Sequence, residues 1–205
     1  MGAGLVILIH LIAIFIVSII IAVIGVVITF IISKERQVRK AVFAFSAPFV
    51  GFYALYICGF FCSSIVAGYK KIDMGIGDCW YVPLENNRQL LLIDLPEQCY
   101  IAKEDGMLLI SEVSKIQEHG NEIFGETLSG KYFSYNTLTD EVGNFNSQKE
   151  LMISKSVKKL SMIKAYDFYS AKYNKLAGLW FIVVGIFSIL IAIASLCLLK
   201  MIIVW

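Results

Sequence analysis

Four glutamates, Glu112, Glu118, Glu122 and Glu126, fall close together in the middle of the chain. Carboxylates held side by side can divide a general acid–base task, one staying protonated while its neighbour stays ionised. Acids on a surface or at a turn have the same spacing and are far more common. Around them the chemistry is sparse. Residues 67–175 contain one histidine, His119, and two cysteines, Cys79 and Cys99. They contain no Gly-rich phosphate loop, no serine nucleophile elbow and no metal-ligand spacing. The run Asp78-Cys79-Trp80-Tyr81 is read most simply as the start of a packed strand. The sequence therefore assigns no catalytic residue, no cofactor and no metal, and the expectation is a protein that is not an enzyme.

The elements that would position these residues are easier to read. The chain has 205 residues, 58% of them hydrophobic, and a mean hydropathy of +0.74. The apolar excess is concentrated in three blocks, at 4–32, 42–66 and 176–199, that contain no Asp, Glu, Lys or Arg. Each exceeds the roughly 20 residues that cross a hydrocarbon core. The predicted architecture is a membrane α-helical protein with three transmembrane helices and a small antiparallel β-rich soluble domain inserted between the second and third. Its parts are a helical hairpin over 1–66 (spans 4–32 and 42–66), a β-rich domain over 67–146, a helical connector over 147–175, and a third membrane helix over 176–205. The first block lacks a basic start and is too long for a signal peptide, so it is expected to stay in the mature protein.

Strands are predicted at WYVPL, QLLLID, CYIAK, LLISEV, NEIF and KYFSYN. Turn residues separate them at Asn86-Asn87, Glu104-Asp105-Gly106, His119-Gly120-Asn121 and Leu128-Ser129-Gly130. Ser147 to Glu150 fits a capping box. Helical spacing follows at Leu151, Val157, Leu160, Ile163 and Phe168, which predicts a helix running into the third span with one break near 155–157.

Between the first two spans lies SKERQVRK, whose Lys34, Arg36, Arg39 and Lys40 face one glutamate, for a net charge of +3. Short basic loops stay cytoplasmic, whereas long domains cross largely regardless of charge. This places the loop and the C-terminal Trp205 inside, and the N-terminus and β-domain outside. Lys70, Lys71, Lys158, Lys159, Lys164, Lys172 and Lys175 argue the other way, and the short loop is given the greater weight. Residues 67–175 hold 13 basic and 15 acidic residues, so no basic field for direct nucleic-acid binding exists. In an oxidising compartment Cys79 and Cys99 could form a disulfide if their strands are adjacent; two unpaired thiols are the other reading. His10 is the one His, Asp, Glu, Lys or Arg within an apolar block. It lies near that block's end, which favours a structural role over an ion pathway.

Small residues recur at helical spacing in every block: Ser18, Ala22, Gly25 and Thr29; Ala44, Ala47, Gly51, Ala54, Cys58 and Cys62; Gly178, Gly185, Ser188, Ala192 and Ser195. In lipid such stripes let helices approach closely. The third stripe steps by seven residues through Gly178, Gly185 and Ala192, which predicts an oligomer packing seam. Packing within a single three-helix subunit is the alternative. Pro48 is expected to kink or loosen the second span.

The size, the helical hairpin and the segment YFSYNTLTDEVGNFNSQKEL before the last span resemble the membrane subunit of Kiwa-type bacterial antiphage defence systems. The resemblance implies a bacterial inner-membrane oligomer that detects phage attack and works with a cytoplasmic DNA-binding partner subunit; it transfers no residue-level motif. The expected partners are thus membrane lipid, other copies of the chain and a cytoplasmic protein. The expected function is an oligomeric sensor or scaffold that couples an external β-domain to that partner. Two alternatives remain: a membrane-disrupting or pore-forming effector with a cytoplasmic regulatory β-domain, and an accessory subunit of a larger membrane complex.

Overall fold

The computed structural model describes residues 2–95 and 98–204. It divides into a helical unit, residues 1–66 and 179–205, and a second unit, residues 67–178.

Three helices are long and apolar enough to cross a membrane. The helix α1, Ala3–Ile32, has 30 residues and is about 45 Å long at about 1.5 Å per residue. The helix α2, Gln37–Lys70, has 34. The third run is helical from Ala165 to Val204 and consists of α4, Ala165–Tyr173, a π-turn at Asn174–Gly178 and α5, Leu179–Val204. In the helical unit, small residues point inward and large apolar ones outward: Ser18 and Ala22 are fully buried, while Ile20, Ile24 and Leu190 are more than half exposed. A water-soluble bundle would be built the other way round, since exposed contiguous apolar surface is disfavoured in water.

The second span is longer than the sequence predicts. The basic loop shrinks to residues 33–36, because Gln37, Val38, Arg39 and Lys40 already form the first turn of α2. Arg36 makes the reversal at a left-handed φ of 49°. The helix α2 also continues through Pro48. Proline has no N–H to give to the carbonyl four residues back, which is that of Ala44. Gly25 of α1 lies against this carbonyl: a Cβ there would sit 3.5 Å from Ala44 O.

The second unit holds two antiparallel sheets. The first is a meander of β1 Cys79–Leu84, β2 Arg88–Ile93, β3 Cys99–Lys103 and β4 Leu108–Ile110. The second contains β5 Val113–His119, β6 Glu122–Thr127, β7 Tyr132–Asn136 and β8 Val142–Phe145. A two-residue strand, β9 Ile163–Lys164, adds to the free edge of β5, giving the order β8-β7-β6-β5-β9. The expected strand LLISEV is broken at Glu112, which has φ 58°, and there the chain passes from one sheet to the other. The turn Asn86-Asn87 places both asparagines at positive φ, 54° and 59°, a region that asparagine tolerates better than most residues.

Ser147 caps α3, Gln148–Ser154, by accepting a hydrogen bond from Glu150 N. The Glu150 carboxylate reaches back one residue beyond the cap, to Asn146 N at 2.9 Å. The helix then stops. The break expected near 155–157 is wider, a non-helical stretch over 155–162 with Ser156 at φ 55°, and the chain becomes helical again only at Ala165. Packing decides this. Leu151 and Leu160 are buried with Phe124 of β6, and Val157 and Met162 pack against them. The apolar residues that suggested a helix serve instead to cover one face of the second sheet.

Candidate functional site

The four glutamates do not form a catalytic pair. Glu126 binds Lys115 and Glu122 binds Lys155, each at 2.8 Å. Glu118 binds Lys172 of α4, and its other oxygen accepts from Glu85 N. Glu112 is the residue of the inter-sheet turn. Glu118, Glu122 and Glu126 tie strands β5 and β6 to neighbouring segments. No group of His, Cys, Asp and Glu with metal-binding geometry occurs among the described residues. His119 ends β5, and His10 meets Tyr56 of α2, Nδ1 to hydroxyl at 3.3 Å.

The cysteines are placed on either side of β2. Cys79 pairs with Ile93 and Cys99 with Leu92. Two inter-strand steps of about 4.8 Å keep their backbones beyond the roughly 7 Å that a disulfide spans. The adjacency on which that pairing depended is absent, and the two do not form a disulfide. Cys79 is exposed and Cys99 buried. Partial desolvation by the surrounding packing, then the charge of Asp73, pushes the Cys79 thiol above its ordinary value.

Of the basic loop, Arg36 donates to the Val204 carbonyl at 3.2 Å, and Gln37 donates to Phe30 O at 2.9 Å. Both satisfy carbonyls that a helix C-terminus leaves without intrahelical partners. Lys34 and Arg39 are exposed and Lys40 half-buried. Trp205 lies outside the described residues.

The five small residues of the third span do not share one environment. Ser188 and Ala192 are buried inside the helical unit. A Cβ at Gly59 of α2 would stand 3.6 Å from Ser188 Oγ, and one at Gly51 would stand 3.4 Å from Leu196. Gly185 is exposed, with nothing near its missing side chain. Gly178 ends the π-turn beside Asn174, and Ser195 is half-buried with its hydroxyl returned to Ile191 O. Part of the stripe therefore packs α5 onto its own α2. Beside that contact an apolar cleft of about 420 Å³ opens, with Gly25, Ala44, Ala47, Gly51 and Ala192 in its walls.

Two carboxylates that the sequence reading passed over organise the second unit. Asp140, in the turn after β7, binds Arg88 at 2.6 Å and Lys103 at 3.1 Å, both from the first sheet, and accepts from the Tyr135 hydroxyl. Hydrogen bonds from Tyr135 and then Arg88 and Lys103 hold its carboxyl well below the usual carboxylate range. Asp73 is 5% exposed. It accepts from Gly75 N at 2.7 Å, Tyr81 N at 3.0 Å and the Tyr169 hydroxyl at 2.9 Å. All three donors are neutral, and no lysine or arginine forms an ion pair with it among the described residues. An acid buried without a cation is costly, and this marks Asp73 as the outstanding polar feature of the domain. The only sequence signal for it was tyrosine spacing at 166, 169 and 173, which puts three rings on one helical face.

Comparison with protein-family models, with curated proteins and with solved structures finds no match to this chain.

Proposed function

We propose that the protein is an oligomeric, membrane-spanning sensor or scaffold of the bacterial inner membrane. A β-domain outside the cytoplasm receives a signal, and the helices carry it to a cytoplasmic protein partner. The observation that supports this most is the inside-out helical unit: small residues buried, large apolar residues exposed, and a two-sheet domain inserted between two of its spans. A helix surface of this kind is solvated by lipid, and helices there associate through small residues. The exposed Gly185 and the small-residue walls of the apolar cleft offer such contacts to a second copy. The exposed Lys34 of the basic loop could meet a soluble partner or anionic lipid at the inner face. The resemblance to the Kiwa-type membrane subunit supports antiphage defence as the setting.

The test is topology together with assembly. A reporter fused after Gln148 should be active only as an extracytoplasmic fusion, and one inserted after Arg36 only as a cytoplasmic one. The full chain in mild detergent should be larger than a monomer. The reversed reporter pattern favours the second reading, an effector that acts on the bilayer under control of a cytoplasmic domain. That reading draws on the exposed Lys71, Lys158, Lys159, Lys164 and Lys175, which favour the cytoplasmic side.

A further inference from the structure

Beside the buried Asp73 lies a cleft of about 280 Å³ lined by Gly75, Trp80, Tyr166, Tyr169, Ser170 and Tyr173. Three of its rings come from one face of α4. Tyr166 and Tyr169 have centroids 6.1 Å apart at 30°, and Tyr169 and Tyr173 have centroids 5.6 Å apart at 37°. Trp80 comes from β1 across the cleft. Gly75, at φ 70°, keeps that wall low: a Cβ there would stand 4.0 Å from the Tyr173 hydroxyl. Among the described residues, no charged side chain lines the cleft. Asp73 is held behind Tyr169 by the bond from the tyrosine hydroxyl.

The chemistry of these groups selects a ligand. Aromatic faces carry negative potential, and cations bind over them. The Asp73 carboxylate stands behind the rings in a poorly solvated place, and its field reaches its neighbours. After burial, Asp73 is the largest cause that raises the Tyr81 hydroxyl and the Cys79 thiol. An anion is excluded on the same ground. A metal ion is disfavoured because it requires several oxygens aimed at one point, whereas Asp73 already accepts three hydrogen bonds of the roughly four it can take. A guanidinium, with five N–H donors, would find only neutral hydroxyls as side-chain acceptors in the lining. A cation that demands no hydrogen bonds and presents methyl groups to the rings meets every condition. The volume suits a headgroup and lies below the roughly 300–1,000 Å³ of sites for drug-sized ligands.

We propose that the Trp80–Tyr166–Tyr169–Tyr173 cleft, backed by Asp73, binds a methylated alkylammonium group. This goes beyond the sensor reading and holds whichever side of the membrane the domain faces. The group has two sources, a choline-type lipid headgroup or a free solute. Tyr173 stands three residues before the apolar block that begins at Leu176, a sequence position that suits the lipid.

The test is calorimetric titration of the full-length protein, in a non-ionic detergent, with choline and with its neutral carbon isostere 3,3-dimethylbutanol. Choline should bind and the isostere should bind at least several-fold more weakly. Tyr166→Leu and Trp80→Leu should each weaken choline about 2- to 30-fold, the range of one cation–π contact. Tyr166 is 47% exposed, so its replacement leaves the core intact; circular dichroism of each variant confirms the fold. Tyr166→Phe, which keeps the ring, should bind as the unsubstituted protein does. The source follows from lipid discs. Loss of choline binding in phosphatidylcholine discs, with binding kept in phosphatidylglycerol discs, assigns the site to the lipid headgroup; binding kept in both assigns it to the free solute. Absence of choline binding in detergent and in phosphatidylglycerol discs, equal affinity for choline and its isostere, or indifference to both leucine variants overturns the proposal.

Discussion

Arg88 of β2 donates from Nε to the Tyr135 hydroxyl of β7 at 2.7 Å, and both side chains also bind Asp140. This contact joins the two sheets. Tyr135 is fully buried, so its hydroxyl cannot exchange these partners for water. Removing it in Tyr135→Phe leaves charged groups short of a partner and should lower the unfolding free energy of the domain by about 1–3 kcal/mol, read as a lower Tm. The acid limb follows from Asp140. Its pKa is depressed by folding, so its contribution is complete above the unfolded value of about 3.9 and is lost as pH falls through the folded value. Asp140→Asn should therefore flatten the stability curve below about pH 4 relative to the unsubstituted protein. An unchanged acid limb would remove Asp140 from this role.

Gly125 of β6 is required by its neighbours. A Cβ there would lie 2.2 Å from the Phe133 ring and 2.8 Å from Lys115 O. Gly125→Ala should destabilise the domain by at least the ~1–3 kcal/mol typical of overpacking. Gly125→Ala with Phe133→Leu should recover only part of that in urea melts, because the Lys115 carbonyl remains. Full recovery would show that the ring alone sets the requirement.

Cys79 and Cys99 should run as a reduced species on non-reducing gels, with no shift lost in Cys79→Ser. Maleimide should modify Cys79 in the native protein and Cys99 only after denaturation. Because Cys79 is raised above the ordinary thiol value, its labelling should be slower than that of a free thiol at neutral pH and should accelerate as pH rises, thiolate being the reactive form. Equal native labelling of both would contradict the placement of Cys99.

The small residues of α5 should separate by substitution. Gly185→Leu alters an open position and should reduce the assembled size in detergent while the subunit stays folded. Ser188→Leu forces a branched side chain into the contact with α2 at Gly59 and should impair the subunit itself, seen as protease sensitivity. If Gly185→Leu leaves the assembly intact, the seam lies on another face.

The sequence made the three apolar helices and most strands legible, because an uncharged run of more than 20 residues and a β-run bounded by turn residues each have few alternatives. It failed where one pattern serves two structures. The spacing of Leu151, Val157 and Leu160 suits one helix, but only Leu151 is helical, and Val157 and Leu160 pack with Phe124 from a non-helical segment. LLISEV is one apolar run, yet the backbone at Glu112 divides it between sheets. The candidate site was hidden for another reason. Asp73 and Tyr169 are 96 residues apart, and nothing local to either announces the bond between them.

The central claim, a β-domain inserted between two membrane spans and exposed outside the cytoplasm, is tested most directly at Cys79. It is the exposed thiol of the domain, whereas Cys58, Cys62 and Cys197 lie within the apolar helices. Intact cells expressing the protein should be treated at mildly alkaline pH with a charged, membrane-impermeant maleimide, alongside lysed cells and the Cys79→Ser variant. The account predicts labelling of Cys79 in intact cells to the extent seen after lysis, and none in Cys79→Ser. Labelling of Cys79 only after lysis would place the domain in the cytoplasm and contradict it.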